Sequence, residues 1–140
     1  MYLEQMQNEN NHVCLIDDFI GSGDSAGSAV SYLFESKNIP KDNISVVVIA
    51  AMQQGIDHLQ TLLIKAYCDT LCQKAITGTG DSEPERIELM NSISNKIGSK
   101  EEVYLGYERS EALISLARTP NNTFPVYWFK KKNKHLPFPR

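Results

Sequence analysis

Val13-Cys14-Leu15-Ile16-Asp17-Asp18-Phe19-Ile20-Gly21-Ser22-Gly23-Asp24-Ser25 is the stretch on which the fold turns. Four apolar residues in a row have strand length, and a strand without a polar face fits a parallel sheet covered on both sides. The spacing predicts a strand Val13–Ile16 that stops at Asp17-Asp18, with Cys14 in the core. A Gly/Ser loop follows. Ala26 to Ser36 then reads as a helix, with Ala26, Ala29, Val30, Leu33 and Phe34 at helical spacing. Residues 38–43, with Pro40, read as a turn, and Ile44 to Met52 as a second buried strand rich in β-branched residues. Strand, helix, strand is a βαβ unit with a right-handed crossover.

Outward from this unit the signals weaken. Residues 53–73 read as mostly helical, from Ile56, Leu59, Leu62, Leu63, Ala66 and Tyr67, with a short strand at 62–67 as the competing reading. Ser82 and Glu85 form a capping-box pattern with Pro84 between them, so a helix is expected from there to about Ile97, stopped by Gly98. Residues 103–105, 112–116 and 126–129 read as short strands, separated by turn residues at 119–123. Residues 1–12 are a polar extension, 13–129 one α/β domain and 130–140 a basic tail.

The chain has 140 residues, the size of one domain, with 41% hydrophobic and 22% charged residues, as in ordinary globular proteins. Its net charge is -3, which excludes a uniformly basic nucleic-acid binder. Lys130, Lys131, Lys132, Lys134 and Arg140 lie in the tail, so the preceding 129 residues hold nine basic against 17 acidic side chains. That tail is the one segment suited to a nucleic-acid backbone. The longest apolar run, Val46 to Met52, is far shorter than the ~20 residues that span a bilayer, and no signal peptide is visible. Three cysteines argue against a disulfide framework. Cys68 and Cys72, on one side of the expected helix, lack zinc-ligand spacing, so a reducing cytoplasm is the expectation.

The chemistry sits at the end of the first strand. Open α/β sheets bind ligands at the C-terminal ends of their strands. Adjacent carboxylates there need a cation, ribose hydroxyls or other donors. Glycines let the following backbone turn its N–H groups inward, and the helix beginning near Ser25 adds its positive dipole end. Asp17 and Asp18 are therefore candidate ribose ligands, and Gly21, Ser22, Gly23, Asp24 and Ser25 a candidate phosphate loop. A receiver domain would need another Asp where the second strand ends in Ala50-Ala51-Met52-Gln53, and a P-loop would need Gly-Lys-Ser/Thr after the glycines. His12, His58 and His135 have no ligand spacing and read as surface or packing residues. Asn121 and Asn122, between Thr119-Pro120 and Thr123, have the chemistry of a turn.

The segment resembles the phosphoribosyl-pyrophosphate motif of type I phosphoribosyltransferases: four apolar residues, two acids, two apolar residues, then a small-residue loop. The resemblance implies a phosphoribosyltransferase-like, Rossmann-like, mostly parallel sheet flanked by helices. It implies that Asp17 and Asp18 face the ribose 2′- and 3′-hydroxyls while residues 21–25 wrap the 5′-phosphate. Asp24 departs from the pattern, which has Thr or another small residue there. Residues 106–110, 119–128 and 137–140 are similar to the ends of a bacterial group of phosphoribosyltransferase-like proteins from conflict and phage-defence loci, and that likeness makes Asn121 and Asn122 a candidate site loop. If active, such a protein transfers ribosyl-phosphate to a nitrogen nucleophile and releases pyrophosphate, a glycosyltransferase reaction helped by magnesium near Asp17 and Asp18. The alternatives are a non-catalytic sensor or effector and a module completed by a partner. The family has strands ahead of this motif, and only twelve polar residues precede Val13. The chain is therefore expected to lack those N-terminal strands and to form a homo-oligomer or join a partner chain that supplies them. Two further expectations are that Gly23→Val abolishes binding with the fold intact, and that neutralising both acids raises thermal stability.

Overall fold

In a computed structural model, described for residues 11–129 and 138, the chain divides into two compact units, Met1–Leu71 and Cys72–Arg140. The first is built on a three-stranded sheet of order β1–β2–β3, with β1 Val13–Ile20, β2 Ile44–Met52 and β3 Lys65–Cys72. β1 and β2 run parallel, in a register from Val13 opposite Ile44 to Ile20 opposite Ala51. Helix α1, Asp24–Lys37, makes the crossover, and helix α2, Gln53–Thr61, links β2 to β3. This is the α/β architecture expected, with β2 at its expected limits.

The core of this unit lies between the sheet and its two helices. Val13, Ile20, Ile44, Val46, Val48 and Ala51 meet Val30 of α1 and Leu59 of α2, with Ala26, Leu33, Ile56 and Leu62 packed around them. Alternate residues of a strand face opposite ways. Val46 and Val48 are buried, while Val47 and Ile49 between them are exposed. Ile16 is 82% exposed and Cys14 is also at the surface. The expectation that β1 is buried on both faces, with Cys14 in the core, is therefore corrected. The four-residue apolar run holds one core-facing set, Val13 and Leu15, and one outward set, Cys14 and Ile16.

β1 also runs past its expected end. Asp17 stays in register with Val48, and Phe19 with Ala50, because the apolar end of β2 continues the ladder. The long helix expected over 53–73 is instead α2 and β3. Leu63 takes a left-handed φ of 59° and ends the helical course, and from Lys65 exposure alternates with the period of a strand. Ala66 and Cys68 pack on the core while Tyr67 points outward.

The second unit is less regular. Helix α3, Glu83–Ile97, ends as expected at Gly98, whose φ is 77°. Ser82 precedes it without a side-chain capping bond, so the capping box does not form. Glu83 Oε2 accepts the Gly78 N–H at 2.7 Å instead. The three short strands expected here are not formed. Residues Glu101–Val103 are a 3-10 turn, Ala112 and Thr123 make an isolated parallel bridge, and Pro125–Trp128 is a short helix, α4. Pro125 supplies a helical φ and no donor, which favours a helix start over a strand. Ile76, Leu105 and Phe124 form a small core with Ile87 and Met90 of α3. The bonds of the buried Glu111 side chain tie segment 76–77 to that loop. Its carboxylate accepts the N–H groups of Ile76 and Thr77 at 3.1 and 2.8 Å and the Thr77 hydroxyl.

Candidate functional site

The loop between β1 and α1 is held from below by α2. Gly23 has a left-handed φ of 90°, and a Cβ there would lie 2.9 Å from the Gly55 carbonyl oxygen and 3.1 Å from His58 Cδ2. A Cβ at Gly55 would collide with the Gly21 carbonyl oxygen and lie 2.7 Å from Ile20 Cγ2. Loop and helix thus touch backbone to backbone, and Gly21 and Gly23 are buried. The glycines set the close fit of the loop on α2. Gly23→Val therefore breaks local packing, and the expectation that it would test binding on an intact fold is corrected.

The loop delivers the start of α1 to the C-terminal end of β1. Gly23 is the N-cap residue, and its carbonyl accepts the Gly27 N–H at 2.8 Å. The N–H groups of the first turn have no partner within the helix and carry its positive dipole end. Ser22 is half-buried, and Asp24 and Ser25 are exposed. The Ser22 hydroxyl donates to Asp24 Oδ2 at 2.9 Å, and the Asp24 N–H reaches back to Ser22 Oγ at 3.4 Å.

The acid pair lies on the strand itself. Asp17 is exposed and Asp18 half-buried, and Asp17 Oδ1 accepts the Asp18 N–H at 2.9 Å. The burial alternation breaks at this end of the strand: Asp17 is exposed although Val13 and Leu15 face the core, and Ile20 is buried again. Both side chains reach solvent, which screens their repulsion, so their neutralisation is expected to change stability less than the sequence reading has it.

His58 is the residue that reading the sequence missed. It projects from α2 to the same loop, with Nε2 3.9 Å from Asp24 Oδ1. The signal was present in the spacing: Gly55, His58 and Leu59 are three and four residues apart and share the face of α2 against Gly23. Gln53 and Asp57 pair with each other on the same helix, Gln53 Nε2 donating to Asp57 Oδ1 at 2.7 Å.

In the second unit, Asn122 is spent on structure. Its amide donates to Ser110 Oγ at 2.9 Å, and its carbonyl accepts the Ala112 N–H. The Asn121 carbonyl accepts the Tyr107 N–H at 2.9 Å. These bonds tie the segment to residues 107–112, and the turn itself is closed by the Thr123 N–H on the Pro120 carbonyl at 3.1 Å. An open apolar cavity of about 170 Å³ there is lined by Leu113, Ile114, Thr119, Thr123, Tyr127 and Phe138 among others. That is below the ~300 Å³ usual for a small-molecule pocket. Cys68 and Cys72 lie on β3, each half-buried, and Cys14 and Cys68 are free thiols. Among the described residues, no three His, Cys, Asp or Glu side chains converge as a metal cage, and no helix is long and apolar enough to cross a membrane. The basic tail and residues 1–10 of the polar extension lie outside the described residues, apart from Phe138.

A parallel βαβ unit that carries two acids on its first strand and turns through glycines into a helix N-terminus defines a phosphoribosyltransferase-like class of protein. The family model PRTase-CE matches residues 1–140, and the chain belongs to that family. No curated protein and no solved structure matches it.

Proposed function

We propose that this protein binds phosphoribosyl pyrophosphate or a related ribose 5-phosphate compound at the β1–α1 loop. The observation that carries the reading is the tight turn from β1 through Gly21 and Gly23 into the first turn of α1, held on Gly55 of α2. The Asp24 N–H already reaches Ser22 Oγ, and the next N–H groups of the first turn, which have no partner within the helix, lie beside Ser22 and Ser25, an arrangement that suits a phosphate. Asp17 and Asp18 flank the strand just before it and are the acceptors for ribose hydroxyls.

In the reading as an enzyme, ribosyl-phosphate passes from pyrophosphate to a nitrogen nucleophile. The anomeric carbon gains positive charge as its bond to the departing oxygen breaks, and the acid pair holds the ribose without attacking it. Carboxylate oxygens are the donors magnesium takes, and that ion is commonly held by one or two carboxylates together with substrate phosphates. Here the ion would enter with the ligand, held by its phosphate oxygens near Asp17 and Asp18 and screening the charge of the pyrophosphate. Association with further copies or a partner chain, and work in the cytoplasm of a bacterium in a defence setting, belong to the same proposal.

Calorimetric titration with phosphoribosyl pyrophosphate and magnesium tests the reading. Asp17→Asn with Asp18→Asn is expected to weaken binding by about 2–4 kcal/mol, the loss of charge-assisted hydrogen bonds to hydroxyls or metal. The melting temperature should change little, because both side chains lie outside the core and asparagine can still accept the Asp18-position N–H. Unaltered affinity in the double variant would overturn the assignment of the acid pair.

A further inference from the structure

We propose that the outer face of the sheet is a docking site for a segment of the same chain, residues 1–10, laid across it as a short amphipathic helix. These ten residues lie outside the described ones, and the docking does not depend on the ribose-phosphate reading. Helices α1 and α2 cover one face of the sheet, with the core between. The other face presents Ile16 of β1, Val47 and Ile49 of β2, and Tyr67 and Leu71 of β3, which are 82%, 38%, 57%, 58% and 46% exposed. Ile16 stands opposite Val47 in the parallel ladder, so these side chains adjoin across the strands. Parallel strands are ordinarily covered on both faces, and a contiguous apolar patch marks an interaction surface.

The chain enters the sheet on that side. His12, the residue before β1, shares the outward parity of Cys14 and Ile16. Its Nε2 lies 3.0 Å from Ser45 Oγ, and Ser45, in the outward set with Val47 and Ile49, is only 7% exposed. The outer face is thus already covered at the end where residues 1–10 join it, and segment and face belong to one unit, Met1–Leu71. After Met1, the segment has Tyr2, Leu3 and Met6 as its apolar side chains, and the rest are polar. Spacings of three and four put these three on one side of a helix. Ten helical residues extend about 15 Å, and three strands about 4.8 Å apart are crossed in about 10 Å. A helix this short is not stable alone in water, so it forms on the face that it covers. Two copies packed face to face would each cover roughly 400 Å² of a sheet this size, against about 800 Å² per partner in a stable interface. The face therefore suits its own chain better than a second copy, and the edge of β1 remains for the association proposed above.

The test is methyl nuclear Overhauser spectroscopy on the full, isotope-labelled chain. Contacts from the Leu3 and Met6 methyls to those of Ile16, Val47 and Ile49 are expected, with intensity per labelled chain unchanged when unlabelled chain is mixed in. Maleimide labelling read by peptide mass spectrometry gives a second measure. In Leu3→Asp with Met6→Asp, Cys14 on the outer face is expected to react about fivefold faster than in the wild type, and Cys68, which packs on the core, at the same rate. Circular dichroism confirms that the sheet of the variant is folded. Absence of contacts between residues 1–10 and the face in the wild-type chain overturns the inference. Contacts that appear only between differently labelled chains also overturn it, and give the face to a second copy.

Discussion

Replacing Gly55 by alanine is expected to destabilise the first unit by about 3 kcal/mol, the upper end of the cost of overpacking, and to remove ribose 5-phosphate binding with it. Alanine is the better helix former, and at an exposed helix position this change would stabilise by up to about 1 kcal/mol. Gly55 reverses that sign because its Cα faces backbone. The added methyl would meet the Gly21 carbonyl oxygen and come within 2.7 Å of Ile20 Cγ2. Neither neighbour can swing away as a side-chain tip would, since Gly21 is loop backbone and Ile20 is 3% exposed in the core. Either α2 shifts or the loop does. Urea unfolding followed by circular dichroism measures the stability, and titration under native conditions measures the binding. A loss below 1 kcal/mol with intact affinity would mean that the loop does not depend on this contact.

The second large effect lies in the other unit. Glu111→Ala should cost about 3 kcal/mol. The Glu111 residue is 0% exposed, and its carboxylate is the acceptor for two backbone N–H groups and one hydroxyl of Ile76 and Thr77. Truncation leaves the buried Ile76 N–H without an acceptor, at a cost of about 1–3 kcal/mol, loosens the exposed Thr77 from this segment and empties a fully buried position. Glu111→Gln keeps one carbonyl oxygen and should cost about half as much. Trp128, the chain's single tryptophan, donates from Nε1 to the Thr123 carbonyl at 2.7 Å and reports on this unit by fluorescence. Denaturation midpoints that coincide for wild type and Glu111→Ala would show that this network adds nothing to stability.

What was legible in the sequence follows the strength of local physical signals. β2 is a nine-residue run rich in valine and isoleucine, and it folds at its expected limits. α1 follows a clean helical spacing and needs only two residues added at its start and one at its end. β1 was recognised but cut short, because a pair of aspartates looks like a strand end. The parallel ladder with Val48 and Ala50 carries the chain past them. The burial of β1 was misjudged because four apolar residues in a row read the same whether one face or both are covered. β3 was legible only as the competing reading at 62–67, since Leu59, Leu62 and Ala66 fit a helix as well as they fit a helix, a turn and a strand. What separates the two is the left-handed backbone at Leu63, a conformation its sequence does not announce.

The second unit resisted for another reason. Left-handed φ values at Glu108, Arg109 and Glu111 break any strand course there, and Val126 and Tyr127 pack on Leu105 and Phe124 from the short helix α4. Non-glycine residues enter that region only when the surroundings impose it. At the candidate site, the order acid, acid, glycine loop, helix was plain in the chain. The role of Gly55 and the arrival of His58 were not, because both depend on α2 docking under a loop thirty residues earlier.

The central claim, that the β1–α1 loop is a ribose-phosphate site, is met most directly by mapping the amide resonances of the isotope-labelled protein during titration with ribose 5-phosphate. The account predicts saturable shifts concentrated at Ser22, Gly23, Asp24 and Ser25, with smaller ones at Asp17, Asp18 and His58. Saturable shifts confined to the second unit, around Leu113, Thr119 and Tyr127, with residues 17–25 unmoved, would contradict it.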